Sequence, residues 1–237
     1  MRSFLLLCGE RGGVSLLGDI SPTFMAGHPI VMRLTASLSR VDLIVMSDRL
    51  LRAINAAAWA HDGQARKGTE IPYISHVFAV MHLVSQQSGV DEDTQIAALF
   101  HDVLEDASER YSAVTMKEEF GEDVAEIVQW VTKDRELLSW RERAEAYLEK
   151  LDDAPREALV IAACDKVHNL TSILGDYEEI GEQLWSRFNS GKESQRWWYW
   201  AVYETLQRRL RRLGSADMPI LDDYRALLVD FDAIGDA

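Results

Sequence analysis

The sequence predicts an all-α protein. From Asp48 onward apolar residues recur at helical spacing, strand-like alternation is nearly absent, and Ser, Asp or Thr precedes several of the apolar runs as a helix-start signal. Helices packed round one hydrophobic core are the architecture such a pattern supports.

Ser47 or Asp48 suits an N-cap, and Leu50, Leu51, Ile54, Ala57, Ala58 and His61 then follow an i, i+3/i+4 pattern. Residues 76–87 form a second helix, with Val77, Val80, Met81 and Val84 on one stripe. Asp91 to Asp106 reads as a third, unbroken helix that Asp91 can cap, burying Ile96, Ala97, Leu99, Phe100 and Val103. A fourth starts at Thr115, with Glu118 placed as in a capping box, and runs through Val124, Ile127, Val128 and Val131. Further helices are expected over 139–151, 155–174, 194–213 and 219–232.

This divides the chain into an N-terminal extension over 1–45, a folded domain over 46–213 and a C-terminal helical tail over 214–237. The extension holds Gly9, Gly12, Gly13, Gly18, Pro22, Gly27 and Pro29 and shows no sustained helical period. Two readings of it stand side by side: a segment upstream of a natural start at Met46, or a genuine but poorly packed arm.

Of 237 residues, 39 are acidic and 25 basic, a net charge of −14 that disfavours nonspecific binding to nucleic acid or an anionic membrane. A small anionic substrate is compatible with it, because a local basic pocket and a metal outweigh a distant field. The run Phe4-Leu5-Leu6-Leu7-Cys8 is too short for a signal peptide, and no stretch approaches the ~20 apolar residues of a membrane span. Two unrelated cysteines, Cys8 and Cys164, give no disulfide framework, so a cytoplasmic location is expected.

The chemistry concentrates in Phe100-His101-Asp102-Val103-Leu104-Glu105-Asp106. On a helix, four ionisable groups there crowd an arc of about 140° at the end of an apolar run. Partly buried carboxylates and an imidazole need a partner to offset desolvation; a divalent metal is one, and a solvated helix end is the other reading of this segment alone. Upstream, the basic, Gly-containing loop Arg66-Lys67-Gly68-Thr69 leads through Pro72-Tyr73-Ile74-Ser75 to His76. Downstream, Asp165 lies in the middle of Val160-Ile161-Ala162-Ala163-Cys164-Asp165-Lys166-Val167-His168-Asn169-Leu170. Asp is a poor helix former and is rarely buried alone, so it should have a cationic partner.

In this order, Arg66-Lys67, Pro72-Tyr73-Ile74-x-His76, His101-Asp102-x-x-Glu105-Asp106 and Asp165-Lys166-x-x-Asn169-Leu170 resemble the HD-domain superfamily. Within it they resemble the (p)ppGpp hydrolase domain of RelA/SpoT-type proteins and their single-domain relatives, the small alarmone hydrolases. The resemblance spans roughly residues 48–210 and includes Glu119-Phe120-Gly121 and Val131-Thr132-Lys133-Asp134. It implies an HD-domain helical bundle with one metal, Mn²⁺, held by His76, His101, Asp102 and Asp165. Glu105 and Asp106 would position and deprotonate the attacking water, and Arg66 and Lys67 would hold the nucleotide or its phosphates. Asn169 shares a stripe with Asp165, so it could reach ribose or phosphate, with Lys166 beside it.

The implied reaction is hydrolysis of the 3′-pyrophosphate of (p)ppGpp to GDP or GTP and pyrophosphate, by a stand-alone hydrolase. The alternatives are another phosphorylated nucleotide, ppApp-like or a phosphate monoester, and a sensor without catalysis. The implied partner is thus a small nucleotide, with no nucleic acid or membrane.

Other candidates weigh less. His61-Asp62 is followed by Gly63 and reads as a helix end, in a place where the family has a histidine that is not a ligand. His168 faces a different stripe from Asp165 and is expected to be structural, His82 to lie on the surface or support packing, and His28 falls outside the motifs. Lys192, with Arg187, could reach phosphate from a loop beside a helix N-terminus. Trp197, Tyr199 and Trp200 are expected to pack the last long helix onto the core, and Arg208-Arg209-Arg211-Arg212 to be a solvated face.

Overall fold

The Ser47 hydroxyl accepts from the Leu50 amide at 3.0 Å and caps α1 (Asp48–Ala60), which turns Ala53, Ala57 and Ala60 inward. The computed structural model describes residues 46–215 and 218–234, so both readings of residues 1–45 lie outside the described residues. After α1 come α2 (Ile74–Ser85), α3 (Glu92–Phe100), α4 (Val103–Asp106), α5 (Ala113–Phe120), α6 (Glu122–Val131) and α7 (Trp140–Asp153). The chain continues through α8 (Arg156–Ile180), a 3₁₀ segment (Gly181–Arg187), α9 (Gly191–Arg212) and α10 (Pro219–Ala233). Among the described residues the only β pairing is an isolated antiparallel bridge between Ala65 and Pro72.

The centre of the bundle is α8. Every residue from Ala158 to Val167 is buried, so the helix is enclosed on all sides rather than on one stripe. It packs against α2, α3, α6, α9 and α10. A carboxylate on α8 therefore reaches the interior, and the helices around it decide what it meets there. The C-terminal helix belongs to the same core: α10 buries Ile220, Leu221, Tyr224, Leu228 and Phe231, and the Tyr224 hydroxyl donates to the Tyr199 carbonyl at 2.9 Å.

Two sequence expectations need correction. The helix expected over 91–106 is broken. A continuing helix would offer the Ala98 carbonyl to the Asp102 amide, but His101 Nδ1 donates to that carbonyl at 2.8 Å. Asp102 sits at φ −101°, ψ −6°, and α4 restarts at Val103.

The helix expected from Thr115 to Val131 is also two helices. Ser112, not Thr115, caps α5, its hydroxyl accepting from the Thr115 amide at 3.1 Å. Gly121 separates α5 from α6 at φ 98°, ψ 167°, a conformation open essentially to glycine alone. The true capping box is at α7, where Ser139 and Glu142 bond reciprocally at 3.1 and 2.9 Å.

The basic run at the end of α9 is partly committed to packing. Arg208 pairs with Asp152 at 2.9 Å and Arg209 donates to the Ala154 carbonyl at 3.4 Å, fastening α9 to the α7–α8 junction.

An added Cβ at Gly121 would meet only the Arg49 guanidinium, at 3.9 Å, so space is not limiting there. The backbone conformation is. We expect Gly121→Ala to lower unfolding stability by about 1–3 kcal/mol with an unchanged m-value, measured by urea denaturation.

Candidate metal centre and adjoining cavity

The loop between α1 and α2 delivers the first donor. Arg66 N donates to Ile71 O at 2.8 Å and Tyr73 N to Gln64 O at 2.9 Å, closing a small loop that passes through Gly68 at φ +76°. Tyr73 and, one helical turn on, His76 are thereby turned into the interior, where His76 is only 1% exposed. The break between α3 and α4 presents His101 and Asp102. The middle of α8 presents Asp165, with His168 and Asn169 on the next turn.

Three side chains from these segments, His76, His101 and Asp102, offer donor atoms that lie within 4.8 Å of one another. His76 Nε2 and His101 Nε2 are 3.2 Å apart. Asp102 Oδ2 is 3.4 Å from His76 Nε2 and 3.0 Å from His101 Nε2. Asp165 Oδ1 is 3.3 and 3.9 Å from the same two nitrogens. Two imidazole nitrogens this close cannot both carry protons aimed at each other.

The outer hydrogen bonds show which atoms are bare. A carbonyl can only accept, so the Ala98 contact fixes the proton of His101 on Nδ1, and in the neutral ring Nε2 faces inward as a lone pair. His76 Nδ1 meets His168 Nδ1 at 2.8 Å. When His76 donates in that contact, its Nε2 faces inward as a lone pair too. Two lone pairs and two carboxylates converging on one point are what a divalent cation requires, and the donor set fits one.

The charges agree. Burial by itself would raise the Asp102 and Asp165 carboxyls, but their contacts outweigh it. For Asp102 these are with the rings of His101 and His76, and for Asp165 with the Lys166 ammonium and the same rings; both carboxyls are held well below their ordinary value. Burial would lower His101, but Asp102 and Asp165 raise it to about 9. His168, half-buried and facing His76 and Arg66, is lowered to about 4 and is neutral near pH 7.

Around this centre Tyr73 donates its hydroxyl to Asp102 Oδ2 at 2.6 Å. The buried Lys166 donates to Asp165 Oδ2. Asn169 donates to Asp165 Oδ1, and its own oxygen accepts from Arg66 Nη2 at 2.8 Å. Glu105 Oε1 accepts from the Lys133 amide at 2.6 Å, and its Oε2 is 3.6 Å from Lys133 Nζ. Asp106 faces Arg135 at 3.3 Å; burial, Asp102 and Glu105 push its carboxyl above the usual value.

Beside the donor cluster opens a cavity of about 470 Å³, a volume suited to a nucleotide-sized ligand. Arg66, Lys67, Lys133, Lys166 and Arg187 stand on its wall with Asn169 and Tyr73. In a chain of net charge −14 this concentration of cations is local. Arg187 also pairs with Asp176 and crosses so close to Gly68 that a Cβ there would meet its Nε at 2.5 Å. The 3₁₀ segment and the 66–72 loop thus close one side of the cavity together.

Of the residues singled out in the sequence, His76, His101, Asp102 and Asp165 come together, with Glu105, Asp106, Arg66, Lys67, Lys166 and Asn169 nearby. Lys192 does not line the cavity; its ammonium lies over the Trp185 ring at 5.8 Å, and Arg187 occupies the wall instead. His168, expected to be structural, orients His76. Tyr73 and Lys133 escaped individual notice, although both sit inside the motif blocks. Tyr199 is buried and Trp197 and Trp200 pack half-buried against the core, as expected; Trp198 and Tyr203 are buried with Tyr199, and Trp198 and Tyr199 also line the cavity.

Residues 53–187 match the HD-domain family model, and the chain belongs to the HD-domain family. Among its relatives is a Xenopus tropicalis protein named guanosine-3′,5′-bis(diphosphate) 3′-pyrophosphohydrolase MESH1. It is 31% identical over 154 residues, which cover 64% of this chain and 80% of the relative. The bifunctional (p)ppGpp synthase/hydrolase SpoT of Escherichia coli is 34% identical over 131 residues, but the chain spans only 18% of its length. A solved structure of a metazoan ortholog of SpoT, described as hydrolysing ppGpp, superposes with a TM-score of 0.64 at 25% identity, covering 78% of this chain and 97% of that one.

The raised His101 sets a pH dependence for cation binding. Below about pH 9 the ring carries a proton on Nε2 that a cation must displace. Affinity for a divalent ion should therefore rise with pH and level off above about 9. Mn²⁺ titration calorimetry at pH 6.5 and 8.5 checks this, and equal affinities would contradict it.

Proposed function

We propose that this chain hydrolyses the 3′-pyrophosphate of guanosine 3′,5′-bis(diphosphate) or its triphosphate analogue, releasing pyrophosphate and GDP or GTP. The observation that carries the reading is the junction of two features. A four-donor centre of His76, His101, Asp102 and Asp165 adjoins a cation-lined cavity of nucleotide size, and Tyr73, Lys166, His168 and Asn169 on the cavity wall each bond one of the donors. Relatives that match 64% and 54% of the chain and bear the name of this activity support it. The enzyme is a metal-dependent phosphohydrolase working in the cytoplasm. Among the described residues no helix is long and apolar enough to cross a membrane.

The four donors hold one divalent cation. A nitrogen–oxygen set without thiolate suits Mn²⁺. Such an ion supplies positive charge to a phosphate and lowers the pKa of water.

The chain's own side chains do the rest. Arg66, held by Asn169 and lying 5.6 Å from the Tyr73 ring centroid, is pre-aimed at the cavity and binds the nucleotide with Lys67. Lys166 and Lys133 offset the charge of the diphosphates. Glu105 is fixed by the Lys133 amide and orients the attacking water. Asp106, with its raised carboxyl, exchanges a proton with that water or the leaving group. Asn169 joins the two halves, one end of its amide on Asp165 and the other on Arg66.

The test is turnover of ppGpp, ppApp, GTP and NADPH by the Mn²⁺-loaded protein, with pyrophosphate and phosphate release followed separately. Pyrophosphate from ppGpp is expected. No turnover of any alarmone would reject the reading, and turnover of ppApp alone would move it to an adenosine nucleotide. Asp165→Ala should lose bound Mn²⁺. Glu105→Ala should keep Mn²⁺ and lose about 10²–10⁴-fold in rate, the scale of a general acid–base contribution.

A further inference from the structure

His61 is the side chain that the metal centre and the cavity leave unexplained. It is 2% exposed, at the C-terminal end of α1, and its Nε2 is buried without a hydrogen-bond partner. A buried polar atom without a partner is uncommon and calls for a bound group that satisfies it.

Its neighbours define which form the ring takes. Gln64 Nε2 donates to the Asp106 carbonyl at 2.8 Å, which fixes the amide with its oxygen toward His61. That oxygen lies 2.7 Å from His61 Nδ1 and can only accept, so the imidazole proton is on Nδ1 and Nε2 is a lone pair. The ring lies against Tyr73, centroids 5.0 Å apart and planes tilted by 32°, and Tyr73 in turn contacts His76 and donates to Asp102. The charged groups that act on the ring are Asp102, His101 and His76. A bare acceptor is thus presented one ring away from the donor cluster, across Tyr73, in a ring held by Gln64 and Tyr73. It is not one of the atoms that converge on the cation.

We propose that His61 is a positioning residue of the metal centre, its Nε2 accepting a hydrogen bond from a water molecule shared with the His76, His101 and Asp102 cluster. This rests on the cation site proposed above and extends it outward by one hydrogen bond. Through Gln64 the same ring is tied to the Asp106 backbone, so the water is held in register with that carboxylate.

The experiment uses the full chain and Mn²⁺ alone. His61→Asn retains a donor near Nδ1 and deletes the acceptor at Nε2; His61→Gln restores an acceptor near Nε2; both remove the ring that lies against Tyr73. We expect His61→Asn to bind Mn²⁺ about 10–100-fold more weakly than the parent chain, the scale of losing an outer-shell partner, and His61→Gln to recover most of that loss. In the metal-free parent chain a long-range ¹H–¹⁵N spectrum should show the proton of His61 on Nδ1. Parent-like affinity in His61→Asn, an equal loss in both variants, or a proton on Nε2 would each overturn the proposal. If His61→Asn does not melt cooperatively, the tautomer of the parent chain and the affinity of His61→Gln decide. A parent chain that binds no Mn²⁺ would reject the metal centre itself, whereas a binding parent with an indifferent His61→Asn rejects only this inference.

Discussion

The structure turns on two carboxylates, Asp102 and Asp165, held inside a helical core. A carboxylate removed from water is tolerated only when cations and hydrogen-bond donors surround it. Much of the local architecture answers that need. His76 and His101 face both carboxylates, Lys166 is buried against Asp165, Tyr73 donates to Asp102 and Asn169 to Asp165. The break between α3 and α4 has the same origin, because the contact that aims His101 inward takes the carbonyl that would have continued the helix.

The arrangement ties the donor cluster to the cavity. Asn169 touches a proposed ligand with one end and the cavity's Arg66 with the other. Lys133 fixes Glu105 through its backbone and puts its ammonium near Tyr147 and near Trp198, which lines the cavity. The aromatics of α9 are therefore both core and pocket wall. The strongly negative chain concentrates positive charge at this one mouth, where low-dielectric aromatic walls strengthen its effect on an anion.

Much of the fold was legible in the sequence. The helical spacing of Leu50, Ile54 and Ala57 marks α1, and the uninterrupted apolar run round Asp165 marks a fully enclosed helix. What failed were the breaks. Gly121 falls inside a convincing apolar period, and only its positive φ shows that α5 and α6 are separate. Nothing in the spacing of residues 91–106 discloses that a side chain competes with the backbone at Ala98. Periodicity records which face is apolar and is blind to a local exchange of hydrogen-bond partners.

For the site, the sequence by itself determined the residue types and their order: a histidine after a basic loop, a His-Asp pair with two carboxylates following, and an aspartate in an apolar helix. Those are chemical requirements of the side chains and are written where they occur. Only the tertiary structure decided which atoms meet. It made His168 the partner of His76, gave His61 a buried lone pair beside the cluster, put Arg187 on the cavity wall and left Lys192 over Trp185. The physical reason is that hydrogen bonds act over about 3 Å, while the segments that make the hydrogen bonds of the site lie as many as 103 residues apart and are brought together only by helix packing.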